Sequence, residues 1–61
     1  MKCGKYRLVT PEMDVTIGFQ SRKYAIEEAE ARAEKVPVKL YSKGLNGEWM
    51  LIFDSEKGGE L

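Results

Sequence analysis

The hydrophobic pattern of this chain changes period twice, from two to near 3.6 and back to two. Tyr6–Thr10 and Met13–Phe19 flank a break that opens at Pro11. In the first run Tyr6 and Leu8 alternate with Arg7 and Val9. In the second, Met13, Val15, Ile17 and Phe19 alternate with Asp14, Thr16 and Gly18. Strict alternation marks a half-buried strand, and proline fixes φ for a turn while withholding a ladder donor. Between Ser21 and Lys35 the period lengthens: Ala25, Ile26, Ala29 and Ala33 recur on one helical face, continued by Val36. Ser21 is a good N-cap, and Pro37 pushes the residue before it out of the α region. Val38–Ser42 and Glu48–Phe53 then flank the turn Lys43-Gly44-Leu45-Asn46-Gly47, whose Asn-Gly pair is a strong hairpin signal.

This layout predicts an α+β fold, a small ββαββ domain with a four-stranded sheet and one helix packed on one face. The domain spans residues 5–53, between a flexible N-terminus (1–4) and a flexible, polar, glycine-rich C-terminal tail (54–61). Strand order beyond each hairpin stays open. Three of the four helical contact positions are alanine, so the sheet must supply the bulky side chains. On the last strand Trp49, Leu51 and Phe53 are therefore assigned to the core, and Glu48, Met50 and Ile52 to the opposite side. Gly18 reads as a bulge or a close approach of the helix. The uncovered face then carries Lys5, Arg7, Val9, Asp14, Thr16, Lys39, Tyr41, Met50 and Ile52. Of these, Arg7, Val9, Lys39, Tyr41, Met50 and Ile52 form the candidate partner-binding set. Tyr41, Met50 and Ile52 are its apolar anchors, and Arg7 and Lys39 its charged rim. An apolar patch rimmed by charge is the signature of an interaction surface.

Composition narrows the function classes. Hydrophobic residues make up 43% and charged residues 33% of 61 residues, too apolar and too balanced for disorder and enough for one small domain. A single cysteine allows no internal disulfide, and without histidine a conventional zinc site is not expected. No cofactor is called for. Cys3 has no base beside it, the carboxylates lie mainly on a solvated helix, and the Gly44–Gly47 turn lacks the Gly-Lys-Ser/Thr end of a phosphate loop. The chain is therefore not expected to be an enzyme. Met1-Lys2-Cys3-Gly4 leads into Lys5 and Arg7 rather than an apolar stretch, and no run is long enough to span a bilayer. A cytoplasmic protein without membrane contact is the expectation.

Charge is balanced overall but unevenly placed. Residues 1–23 hold five basic and two acidic side chains, and residues 35–47 hold three basic and no acidic ones. The helical stretch 24–34 and the segment 48–61 each hold four acidic and one basic. An acidic helix side opposite a mildly basic sheet side follows. Lys5, Arg7, Lys39 and Lys43 with Tyr41 among them suit phosphates and a stacked base. Zero net charge, however, points to a protein partner before nucleic acid. The leading expectation is a small accessory or regulatory protein of bacterial or phage type that binds a protein, including a second copy of itself as a homodimer. Nucleic-acid binding through the same face is the alternative, and mimicry of nucleic-acid charge by the acidic helix is a third.

Gly18-Phe19-Gln20-Ser21-Arg22-Lys23-Tyr24-Ala25, a strand running into a capped helix, resembles the strand-to-helix junction of arm-type DNA-binding domains of phage integrases. In that family a sheet docks into the major groove. The likeness covers about a quarter of the chain. The chain departs from the family in lacking a third strand before the helix and in adding a hairpin after it, so the likeness assigns no family.

Overall fold

A computed structural model describes residues 4–19 and 21–61. Residues 1–3 of the expected flexible N-terminus, Cys3 among them, lie outside the described residues, while Gly4 opens the first strand. That strand, β1 (Gly4–Val9), lies inside the sheet, antiparallel to β2 (Asp14–Phe19) on one side and to β3 (Lys39–Lys43) on the other. Beyond β3 follow β4 (Trp49–Asp54) and a short β5 (Gly59–Glu60), giving the order β2-β1-β3-β4-β5 with every neighbouring pair antiparallel. The α+β class is as expected, but the sheet has five strands rather than four. Helix α1 (Arg22–Ala33) links β2 to β3. Both strands oppose β1 and so run parallel to each other, with β1 between them.

Local chemistry explains each element boundary. Thr10 and Met13 exchange backbone hydrogen bonds of 2.7 and 3.3 Å, closing the first hairpin around a two-residue Pro11-Glu12 loop. Ser21 Oγ accepts from the Tyr24 amide at 3.2 Å and caps the helix start. The helix stops at Ala33, two residues before the expected end. The amides of Lys35 and Val36 both return to the Arg32 carbonyl instead. In the second hairpin the Gly47 amide donates to the Gly44 carbonyl at 3.0 Å, and the Gly44 amide to the Glu48 carbonyl at 2.7 Å. Leu45 and Asn46 are thus the centre of the turn, and Gly47 follows with φ of 84°. This is a turn closed by a glycine in the left-handed region, where that residue has little steric cost.

The helix lays Ala25, Ile26 and Ala29 on the sheet, with Ala33 packed alongside. Beneath them the core contains Tyr6, Leu8, Val38, Leu40, Ile52 and Phe53. Small helical side chains bring the backbone of α1 close to the sheet, as the alanine stripe implies. The sheet's contribution is mainly aliphatic, with Tyr6 and Phe53 as its buried rings.

The C-terminal segment belongs to the fold. Asp54, expected to begin a fraying tail, is buried and accepts from the Glu56 amide at 3.0 Å, capping a 3₁₀ turn over Ser55–Lys57. Gly58 and Gly59, with φ of 98° and 108°, then return the chain along β4. A glycine-rich polar stretch that reads as a loose end is therefore a reversing turn. Ser55 also ties down the connection after the helix: its Oγ accepts from the Val38 amide at 2.8 Å, and its own amide donates to the Val38 carbonyl at 3.0 Å.

A candidate partner-binding face

One irregularity decides which side chains reach the uncovered face. Leu40 stands opposite Phe53, but the next residue, Tyr41, stands opposite Leu51. Ile52 is thus an extra residue in β4, a β-bulge. Side chains alternate strictly across a regular sheet, so one inserted residue reverses the facing of everything on its far side. Ile52 and Phe53 both point into the core, 6% and 2% exposed. Trp49 and Leu51 consequently turn away from the helix. Gly18, by contrast, keeps regular register opposite Lys5 and marks no bulge.

Following the register across the sheet gives the rows of the open face. Thr16, Arg7, Tyr41 and Leu51 form one row, and Lys43 and Trp49 form the next on the β3–β4 side. Asp14, Val9 and Lys39 form the row on the other side. Tyr41, Trp49 and Leu51 are half-buried, and Lys5, Lys39 and Lys43 are exposed. Of the expected partner-binding set, Arg7, Val9, Lys39 and Tyr41 do lie on this face. Met50 and Ile52 do not. Ile52 is core, and Met50 stands opposite Ser42 on the helix side beyond the packed region, 61% exposed. Trp49 and Leu51, expected in the core because the alanine-rich helix needs bulky partners, lie on this face instead.

Arg7 is also less available than a rim charge. Its Nε donates to Asp14 Oδ1 at 2.7 Å and its Nη2 to Oδ2 at 2.5 Å, a two-pronged pair on the solvent side. The hydrogen bonds from Arg7 hold the Asp14 carboxyl below its ordinary value, and the same pair raises the Arg7 guanidinium further. Val9 and Lys39 instead line a shallow groove with Thr10, Pro11, Pro37 and Glu56.

The helix, expected to be acidic, carries no net charge, because Arg22, Lys23 and Arg32 balance Glu27, Glu28 and Glu30. Glu27, Glu30 and Glu34 are exposed, while Glu28 pairs with Arg32 at 3.0 Å. Among the described residues no group of three or more His, Cys, Asp or Glu is arranged to hold a metal ion. No helix among them is long and apolar enough to cross a membrane. Set against protein-family models, curated proteins and solved structures, the chain matches none.

Proposed function

We propose that this chain is a small non-enzymatic accessory or regulatory protein of bacterial or phage type, cytoplasmic, that binds a protein through its open sheet face. The observation that carries this reading is the cross-strand arrangement of Tyr41 with Leu51 and of Lys43 with Trp49. It supplies two aromatic rings and an aliphatic side chain together, with Lys5, Lys39 and Lys43 around them. Aromatic side chains give large contact area with few rotors, and they are the residues on which interfaces most depend. The lysine rim suits an acidic partner segment. In a capture experiment from the source cell, Trp49→Ala and Tyr41→Ala should each lose the partner, and Met50→Ala should keep it. Equal capture by all three variants would exclude this face.

A second reading, nucleic-acid binding, gains from the same bulge, which brings Trp49 onto the same basic face as Tyr41, one row along. Stacking rings among lysines suit single strands. Titration with labelled single- and double-stranded oligonucleotides separates the two: nucleic-acid binding must weaken steeply as salt rises.

A further inference from the structure

We propose that the free edge of β2 pairs with β2 of a second copy of this chain, antiparallel about a two-fold axis through Thr16 and normal to the sheet. The inference stands apart from the open-face reading, because such pairing leaves that face uncovered.

The hydrogen-bond pattern of the first hairpin identifies the free groups. Thr10 and Met13 exchange both backbone bonds, so they are a hydrogen-bonded pair. In an antiparallel ladder such pairs alternate with non-bonded ones. From the register, the bonded pairs are then Leu8–Val15, Tyr6–Ile17 and Gly4–Phe19. Val15, Ile17 and Phe19 direct their amides and carbonyls to β1. Asp14, Thr16 and Gly18 direct theirs outward, and no strand lies beyond β2 among the described residues.

This edge has none of the usual protections. It is six residues long and contains no proline, lysine or bulge, and its one charge, Asp14, is already held by Arg7. The opposite side of the sheet ends differently among the described residues, in the two-residue strand β5. Short edge strands resist pairing, so the two edges differ in kind.

A second copy fits because β2 is complementary to itself. With Thr16 opposite Thr16, Asp14 falls opposite Gly18 and Gly18 opposite Asp14. All three outward-directed residues then exchange bonds. Centring the axis on Ile17 would use only Thr16 and Gly18 of these three. On the helix side, Val15 meets Ile17 of the second copy and Met13 meets Phe19. All four are left partly or largely exposed in the single chain. On the open side the threonines face each other, a favourable cross-strand pair. Asp14 avoids its own like charge. It faces Gly18, whose missing side chain leaves Lys5 of the same copy, in the next strand, a clear path toward it. An axis normal to the sheet also keeps both helices on one side and joins the two open faces on the other.

The test uses sedimentation equilibrium together with amide hydrogen exchange on the whole chain. The wild type should dimerise as concentration rises, with the amides of Asp14, Thr16 and Gly18 gaining protection in step, while those of Val15 and Ile17 stay protected throughout. Thr16→Pro removes an outward donor and no bond to β1, and Thr16→Lys sets two like charges against each other. Both should sediment as monomers while keeping the wild-type circular dichroism. If Thr16→Pro fails to fold, Thr16→Lys alone decides. A wild type that stays monomeric at millimolar concentration overturns the proposal. So does a dimer that persists in a folded Thr16→Lys variant, or one whose formation protects other amides instead.

Discussion

Arg7 on β1 holds Asp14 on β2 diagonally across the open sheet face, through two hydrogen bonds of 2.7 and 2.5 Å. The pair bridges the strands near the Pro11 turn and neutralises the one carboxylate of β2. Its effect on the pH profile has a definite sign. Asp14 is held below its ordinary value of 3.8, so its contribution is fully present above that pH and is lost as pH falls through the lower folded value. Asp14→Asn should therefore be less stable than wild type at neutral pH. The difference should close on the acid side of 3.8, as read from urea unfolding at both ends. Both side chains are well exposed, so the effect is small and shrinks in salt.

The bulge makes opposite predictions for two adjacent residues. Ile52→Ala empties a core position and should cost about 2–5 kcal/mol, the range for large-to-small substitutions in packed interiors. Leu51→Ala, one residue away but on the open face, should cost distinctly less. Thermal unfolding of the two variants measures this directly. If Leu51→Ala were the more damaging, the assignment of faces would be reversed.

Ser55 is a small surface-typical residue with a structural task. Ser55→Ala leaves the amide of Val38, a residue with 0% exposure, without its hydroxyl partner. An unsatisfied buried donor costs about 1–3 kcal/mol, which in a domain of this size lowers Tm by several degrees per kcal/mol. Ser55→Thr keeps the hydroxyl and should recover much of the loss. The same pair of variants can be followed by exchange of the Val38 amide.

Gly59 tests whether the C-terminal segment contributes to stability. Its φ of 108° disfavours any side chain, and a Cβ there would lie 3.6 Å from the Phe53 ring, an ordinary contact. Gly59→Ala should therefore destabilise through backbone strain alone, by about 1–3 kcal/mol. Faster exchange at the Leu61 amide, which donates to the Ile52 carbonyl at 3.1 Å, should accompany it.

These predictions also mark where sequence patterns stop being informative. Alternation located both hairpins, Ser21 and Pro37 bracketed the helix, and the alanine spacing identified its buried side. The face of β4 was not legible, because Trp49–Phe53 is apolar at every position and either parity buries a plausible set. Only the pairing with β3 distinguishes them, through an extra residue that no local signal announces. The Arg7–Asp14 pair was hidden for a related reason: it is diagonal, and its geometry depends on register. The β5 strand is not legible because two glycines carry its turn, and glycine-rich polar sequence reads equally as a loose end. Strand order needed the three-dimensional fold outright.

The extra residue in β4 divides that strand into two stretches with different surroundings. On one side of Ile52, changes at Trp49 and Leu51 meet solvent or a partner. On the other, changes at Phe53 meet the interior. Substitutions at Trp49 and Leu51 should therefore be tolerated by the fold better than substitutions at Ile52 and Phe53. A library varied at Tyr41, Lys43, Trp49 and Leu51 would change the surface of the open face while leaving the helix-side core residues in place.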